Sequence, residues 1–324
     1  MNAPKRESSW RVWLALLAFV LWAHPSLVGL PFAALLLLVP RDDRPGWSQP
    51  VAGLIGAMSA TLLVLTGGAQ TAGRLAAVTG TYTVMVTAAF IVLALLKPAP
   101  ILRQALRAML LGGVVSALLV QAIWGSDAWG GLAWEATRAA GSSMRAIVQI
   151  APDTFTVYEP VVRFMSLTWP GMLALQTLAG LALAWHLHVR LTPAGNEAGA
   201  VAPVRPGRFK DFRMGDGWVW GIVAWLAVLI LPVSNALHMA GTNVGLVAGV
   251  LYVLRGAAIV ATFAEAFGIS AMALVLIAGI AATLAVPLLF VLPGLCTLGI
   301  TDTWYQYRRR LAAARSAGQT PSKD

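Results

Sequence analysis

The stretch NVGLVAGVLYVLRGAAIVATFA, Asn243–Ala264, is mainly apolar and contains a single charged residue, Arg255. A helix needs about 20 mainly apolar residues to cross a bilayer, because the hydrocarbon layer is about 30 Å thick and each residue rises about 1.5 Å. The stretch therefore predicts a membrane-spanning helix. Its arginine must be paired or hydrated there, since burying an isolated charge costs several kcal/mol.

The rest of the chain has the same character. Of its 324 residues, 58% are hydrophobic and 11% are charged, whereas soluble domains have about 45–50% apolar and about 25% charged residues. That composition excludes a soluble domain and a disordered chain, and the single cysteine excludes a disulfide framework. We predict an all-α, polytopic transmembrane helical bundle, with further spans at Gln49–Thr66, Ala72–Leu96, Gln104–Trp124, Leu167–Val189 and Gly217–Leu237.

Two longer apolar runs, Trp10–Pro40 and Ile269–Ile300, are interrupted by prolines. Each could form one long tilted helix, a kinked helix or a hairpin of two short helices. Most basic residues fall in five clusters between the spans, and basic clusters mark the cytoplasmic side of a membrane. Hairpins at 10–40 and 269–300 keep all five clusters on that side. We therefore predict about 8–10 spans with both termini cytoplasmic, in a bacterial inner membrane.

The polar segments divide the chain into parts. We predict an N-terminal membrane half, a flexible basic cytoplasmic loop, a C-terminal membrane half and a basic tail, over residues 1–190, 191–216, 217–307 and 308–324. Within the first half, the segment 125–166 mixes Trp129 and Trp134 with basic and apolar residues. This mixture is typical of amphipathic helices at the membrane interface. On the outer side, it either anchors its neighbouring spans or forms a lid over a cavity.

Arg255 is the main candidate for function, because nothing in its own span neutralises it. The nearest acid, Glu265, lies ten residues further along, about 15 Å along the same helix. We expect Arg255 to use backbone carbonyls, water, an anionic ligand or side-chain amides, the candidates being Asn235, Gln176 and Gln121. A guanidinium binds carboxylate and phosphate through paired hydrogen bonds. Arg255 is thus either a ligand contact or a structural residue, and Glu265 is a second candidate, for coupling to protons.

Catalysis is not expected. No nucleophile motif, paired-acid motif or phosphate-binding glycine loop occurs in the sequence. His186 and His188 are two residues apart and point to different sides of a helix, so they do not form a metal site. We predict neither an enzyme nor a bound cofactor or metal.

Two basic segments with aromatic neighbours are candidate sites at which a partner could dock. One is the strip Arg208–Arg213, and the other follows the last span, where Asp302 could pair with Arg308 or Arg309. Both either bind anionic lipid or dock a cytoplasmic protein through Arg208, Lys210, Arg213, Asp302, Arg308 and Arg309. Nucleic acid is not an expected partner, because the basic residues lie at the ends of apolar spans rather than on a soluble face.

The C-terminal part also resembles a known family. LYVLRGAA (Leu251–Ala258) and LGITDTWYQYRRR (Leu298–Arg310) are similar to motifs of the YybS-like family, bacterial multi-pass membrane proteins of undefined function. The strip Arg208–Arg213 before a tryptophan-containing span is similar as well, and the resemblance covers roughly the C-terminal third. It implies a helical pocket protein, distantly like the substrate-binding subunits of energy-coupling-factor transporters, for a small vitamin-like or metabolite ligand.

Two hypotheses for function follow. The first is a non-enzymatic membrane protein with a transporter-like helical pocket that binds a small molecule, with Arg255 as the best ligand contact. The chain has no nucleotide-binding motif, so ATP-driven transport would need a separate ATPase subunit. The alternative is a membrane scaffold that recruits cytoplasmic or envelope-assembly partners through the strip 208–213 and the tail.

Overall fold

The computed structural model describes residues 73–96, 99–150, 155–191, 207–283 and 286–318. Within these ranges the chain forms helices and no strand, and four helices are long and apolar enough to cross a membrane. The prediction of an all-α polytopic membrane protein is confirmed. The expected hairpin 10–40 and the expected span Gln49–Thr66 lie outside the described residues. Two compact units are present, divided between Pro206 and Gly207.

The first unit contains helices α1 (Arg74–Leu96), α2 (Ile101–Trp124), α3 (Ala128–Ile150) and α4 (Phe155–Leu191). Its main core lies between α1, α2 and α4, where Phe90 and Trp185 meet edge to face with ring centroids 5.8 Å apart. Helices α1 and α2 are in backbone contact, because a Cβ at Gly112 would lie 2.6 Å from the Val86 nitrogen. Small residues at such crossings allow the close packing that stabilises helices in lipid.

Helix α3 occupies much of the segment 125–166 and is amphipathic. Trp129 and Trp134 are exposed, and the Glu135 carboxylate accepts the backbone N–H of Leu75 at 2.7 Å, at the start of α1. Helix α4 already begins at Phe155, so it extends twelve residues before the span predicted from Leu167. The buried stripe of α3 recurs every fourth residue, as expected for one helix face, at Ala128, Leu132, Ala136 and Ala140.

Glu135→Ala should weaken the first unit through the start of α1. The substitution removes the acceptor for otherwise unpaired N–H groups of the first turn, and loss of such a cap costs about 1 kcal/mol. Thermal unfolding in detergent should show a correspondingly lower midpoint. Glu159→Ala, at an exposed site on α4, is the control and should leave the midpoint unchanged; equal midpoints for both variants would show that Glu135 does not stabilise α1.

In residues 207–283 and 286–318, the second unit forms five helices and two short 3-10 turns. Helix α6 is its longest element and packs against α5 and α8. The turns lie at Phe209–Asp211 and Asp216–Trp218, before the first of the helices. The helices are α5 (Val219–Ile230), α6 (Asn235–Ala266), α7 (Ala271–Thr283), α8 (Val286–Tyr305) and α9 (Tyr307–Gly318).

The span predicted over Gly217–Leu237 is wrong in its C-terminal end. Helix α5 ends at Ile230, and Leu231 is extended, with φ −78° and ψ 145°. Pro232 explains this, because proline disfavours helical geometry in the residue before it. Ser234 then caps α6, its hydroxyl accepting the Leu237 N–H at 3.4 Å. The 12 residues of α5 rise about 18 Å, less than the roughly 30 Å of a hydrocarbon layer.

Two other expectations differ from the structure in detail. Residues 207–216, which we expected within a flexible loop, belong to the second unit, where Met214 is 6% exposed and the turn Phe209–Asp211 packs against α6. The run Ile269–Ile300, expected to be two short helices, is divided between α7 and α8, and α8 continues to Tyr305. Residues 209–211 and the polar residues 301–305 therefore lie in helical elements of the same unit.

Candidate functional site

The Arg255 side chain lies in a buried ion pair with Asp302 of α8. Its Nε and Nη2 atoms each donate to Asp302 Oδ2 at 3.1 Å, and the two side chains are 5% and 6% exposed. Nη1 donates to Thr303 Oγ1 at 3.3 Å, and Nη2 reaches Asp216 Oδ1 at 3.5 Å. The guanidinium is thus neutralised by carboxylates from two other segments of the same unit.

The expectation that Arg255 lacks a carboxylate partner is wrong. Asp302 is 47 residues away in sequence, and we expected it just past the last span. Helix α8 instead extends to Tyr305, which places Asp302 in its last turn. Helix α6 also starts at Asn235 rather than Asn243, so 20 residues rather than 12 separate Arg255 from the start of its helix.

Two glycines bring α6 and α8 together beside this pair. A Cβ on Gly256 would collide with the backbone carbonyl of Leu295, and a Cβ on Gly299 would collide with the carbonyl of Tyr252. The helices therefore cross in backbone contact, one residue from Arg255 and three residues from Asp302. Any larger side chain at either position would separate the helix that carries the guanidinium from the helix that carries its carboxylate.

Asp302 also fixes the start of α9. Its Oδ1 atom accepts the Tyr307 N–H at 3.1 Å. Gln306, between the two helices, has φ +47°, in the left-handed region that ends a helix. This turn brings Arg308 back to Asp302, whose Oδ2 accepts from Arg308 Nη2 at 3.4 Å. The pair expected between Asp302 and Arg308 is therefore present.

Arg308 ties the strip 208–213 to the end of α8. Its Nη1 atom donates to the carbonyls of Lys210 and Phe212, at 2.9 and 3.0 Å. Burial lowers the pKa of the Arg308 guanidinium below its ordinary value, which Asp302 opposes and the charges of Arg213 and Arg255 reinforce. A guanidinium stays protonated even so, because its ordinary pKa is above about 12. Arg308 is thus a structural cation inside a crowded cluster of positive charges.

Glu265 pairs with Lys210 of the same strip. Lys210 Nζ donates to Glu265 Oε1 at 2.9 Å and to Oε2 at 2.6 Å. The two side chains are 26% and 54% exposed, so solvent screens the pair. Glu265 lies one residue before the end of α6, in agreement with the expected helix end, and its role in coupling to protons stays a prediction.

A double-mutant cycle of Lys210→Met and Glu265→Gln should give a coupling free energy below about 1 kcal/mol. The reason is the exposure of both partners, which lets water and salt weaken the attraction. Unfolding of the four proteins in detergent at low and high salt measures the coupling, which should shrink with salt. A salt-independent coupling above about 2 kcal/mol would show that the pair is buried in the folded protein.

An open cleft of about 220 Å³ lies in front of Arg255 and Asp302. Four guanidinium groups and two carboxylates line it, which leaves a net charge of two positives. Its wall is formed by residues 213–216, by Arg255 of α6 and by the end of α8 with the start of α9. The lining residues include Arg213, Asp216, Arg255, Asp302, Thr303, Gln306, Arg308 and Arg309.

The three predicted amides are distributed over both units. Asn235, the first residue of α6, is about 30 Å along the helix from Arg255. In the first unit, Gln121 accepts from Trp129 Nε1 at 2.8 Å, and Gln176 is exposed on α4. Within the described part of the second unit, Asn235 is not among the hydrogen-bond partners of Arg255. Gln121 and Gln176 belong to the first unit, and their expected contact with Arg255 stays a prediction.

Of the predicted docking residues, Arg213, Asp302, Arg308 and Arg309 meet at the cleft, while Lys210 pairs outside it. Arg208 is exposed at the start of the strip.

Sequence reasoning missed Asp216 and Thr303. Asp216 could have been identified from the sequence, because an arginine within a span needs a carboxylate partner. Asp216 is a carboxylate that immediately precedes the predicted span Gly217–Leu237. Among the described residues, no group of three His, Cys, Asp or Glu side chains is placed to hold a metal ion.

Comparison with known families identifies the chain. A family of predicted membrane proteins, DUF2232, matches residues 26–303, and the chain belongs to this family. No curated protein and no solved structure matches it. The resemblance to YybS-like proteins and to energy-coupling-factor subunits stays a prediction from the C-terminal motifs.

Proposed function

We propose that this member of the DUF2232 family is a bacterial inner-membrane protein that binds an anionic small molecule in its arginine-lined cleft. The observation that carries the proposal is the charge of the cleft, where four guanidinium groups face two carboxylates. A charge of this sign in a concave, partly buried site concentrates anions from the surroundings. The protein would be transporter-like and not itself an ATPase, with energy for any transport supplied by a separate ATPase subunit.

The buried arginines keep donors for such a ligand. A guanidinium has five N–H groups, of which Arg255 uses four, on Asp302, Asp216 and Thr303. Arg308 uses three, on Asp302 and two carbonyls. Among the described residues, one N–H of Arg255 and two of Arg308 have no acceptor. Because both residues line the cleft, an anion bound there could accept from these N–H groups.

The contacts of Arg255 give it a different role from the ligand contact that we expected. Its guanidinium is held by Asp302 and Thr303, so it forms the back of the cleft rather than a freely available ligand contact. Arg213 and Arg309 are exposed and line the same cleft. We assign them the main electrostatic contribution to ligand capture, because they move into contact with an anion without breaking a buried pair.

A thermal-shift panel tests this proposal. The purified protein is heated with inorganic phosphate, with a dicarboxylate such as succinate, and with a neutral sugar. At least one anion should raise the unfolding temperature, because a ligand present at 100 times its Kd stabilises by about 2.7 kcal/mol. The sugar should have no effect.

The matched variants separate specific binding from general salt effects. The double variant Arg213→Gln/Arg309→Gln should lose the stabilisation. Arg310→Gln should keep it, because Arg310 packs over Tyr305 and is not part of the cleft. No stabilisation by any anion, or equal stabilisation of the double variant, would contradict the proposal.

The scaffold alternative is favoured by one other observation. Trp304 and Tyr305 are exposed at the end of α8, beside the basic start of α9. A cytoplasmic partner could dock on this aromatic and basic end. Under this alternative, Trp304→Ala/Tyr305→Ala should remove a co-purifying partner while membrane insertion is unchanged. Unchanged partner recovery would contradict docking on this end.

A further inference from the structure

The number of arginine N–H groups in the cleft favours a ligand with more acceptor oxygens than one carboxylate has. Among the described residues, three N–H groups of Arg255 and Arg308 have no acceptor, and the guanidiniums of Arg213 and Arg309 line the same cleft. A carboxylate presents two oxygens, whereas a phosphate monoester presents three terminal oxygens to donors on several sides. Arginine is the side chain that binds phosphate by paired hydrogen bonds. The net charge of two positives matches a phosphate dianion.

Repulsion among the arginines also points to a bound anion. Burial is the main cause that lowers the pKa of Arg308, and the charges of Arg213 and Arg255 lower it further, whereas Asp302 raises it. Asp302 is shared, since its Oδ2 atom accepts from both Arg255 and Arg308. A phosphate placed among the guanidiniums would relieve this repulsion without displacing Asp302.

The position of Arg255 along α6 favours a cleft at the level of the lipid headgroups. Arg255 follows the start of α6 by 20 residues, about 30 Å along the helix and hence about one hydrocarbon thickness. Trp218 and Trp304 are exposed close to Asp216 and Thr303 in sequence, and tryptophan prefers the headgroup level.

Exposed apolar residues follow the cleft residue Asp216 in sequence, along α5. This helix follows directly from Asp216–Trp218 and exposes Trp220, Val223 and Leu226. In a membrane, such a face contacts acyl chains. A ligand with a phosphate in the cleft could therefore extend its apolar part along α5.

We infer that the ligand of this cleft is a phosphate group carried by a membrane lipid, with its acyl part on the apolar face of α5. The inference rests on the proposed function and deepens it by naming the ligand class. The phosphate binds to unused N–H groups of Arg255 and Arg308, and Arg213 and Arg309 close over it from the rim. No covalent step is involved.

Native mass spectrometry of the protein in nanodiscs tests the inference. The discs contain phosphatidylcholine alone, phosphatidylcholine with phosphatidic acid, or phosphatidylcholine with oleate as a carboxylate of similar chain length. A fourth sample, in detergent, receives inorganic phosphate. We expect one phosphatidic acid retained per chain, and at least about tenfold weaker retention of oleate and of inorganic phosphate, which corresponds to about 1.4 kcal/mol.

Arg213→Gln/Arg309→Gln should reduce phosphatidic acid retention by at least about tenfold, as expected for loss of charged hydrogen bonds. Arg310→Gln, outside the cleft, should retain the lipid as the parent protein does. Equal retention by the double variant, or oleate retained as well as phosphatidic acid, would overturn the lipid-phosphate assignment while anion binding in the thermal-shift panel stands. Inorganic phosphate retained as tightly as phosphatidic acid would contradict a lipid as the carrier of the phosphate group. Failure of every anion in both experiments would overturn the proposed function too.

Discussion

Asp302→Asn should destabilise the second unit by about 3–5 kcal/mol, the cost of leaving buried charge without its partner. The substitution keeps the size of the side chain and removes the charge that Arg255 and Arg308 share. Chemical or thermal unfolding of the detergent-purified protein measures the loss. In the membrane, we expect lower yield of folded protein for the same reason.

Two variants show whether this effect comes from the buried pair. Asp216→Asn should cost below about 1 kcal/mol, because Asp216 is 68% exposed and lies 3.5 Å from Arg255 Nη2. Arg255→Met combined with Asp302→Asn should recover part of the lost stability, since it removes the buried cation that Asp302→Asn leaves without its carboxylate. If Asp302→Asn unfolds at the parent midpoint, the buried pair does not hold the unit together.

Gly256→Ala should be the most damaging small substitution in the second unit. The added Cβ meets the Leu295 carbonyl, which is backbone and cannot rotate away, so α6 and α8 must separate. Overpacking a tight site costs about 1–3 kcal/mol and sometimes more, and here the separation also weakens the pair between Arg255 and Asp302. We expect a loss of at least about 3 kcal/mol, measured by unfolding in detergent.

Glycines on the same helices supply the controls. Gly249 of α6 and Gly294 of α8 have open space where a Cβ would be added. Gly249→Ala and Gly294→Ala should therefore be neutral, whereas Gly299→Ala should resemble Gly256→Ala because its Cβ meets the Tyr252 carbonyl. Similar unfolding midpoints for Gly256→Ala and Gly249→Ala would show that α6 and α8 do not cross in backbone contact.

Hydropathy predicts the fold class because lipid requires long apolar helices whose backbone bonds are satisfied internally. It locates α2 to within three residues, since Gln104–Trp124 was expected and Ile101–Trp124 is present. Hydropathy does not locate a helix end where the sequence stays apolar across the boundary between two helices. Residues 217–237 are apolar across Pro232, and only the backbone restriction imposed by that proline separates α5 from α6.

The site was harder to predict than the spans. The sequence points to Arg255 because a charge inside an apolar span is unusual, and to Arg308 because it lies in a basic segment with aromatic neighbours after the last span; both residues line the cleft. Their shared partner Asp302 was assigned to a helix end, because nothing local indicates contact with a residue 47 positions earlier. That contact depends on Gly256 and Gly299, and the sequence of one helix does not specify which helix it crosses.

The pairing of Arg255 changes how ligand binding must be tested. Truncating Arg255 removes one partner of a buried pair, so lost binding in that variant could reflect lost folding. Arg213 and Arg309 are exposed, and their replacement changes the charge of the cleft without breaking the pair. They are therefore the residues through which binding and stability can be separated.

The most direct measurement is native mass spectrometry of the protein purified gently from its own membrane, compared with Arg213→Gln/Arg309→Gln prepared in parallel. The account predicts that the parent protein retains an anionic small molecule, which the double variant loses although it stays folded. A parent protein that carries no small molecule, or the same molecule retained equally by the double variant, would contradict an anion-binding cleft at Arg213, Arg255, Arg308 and Arg309.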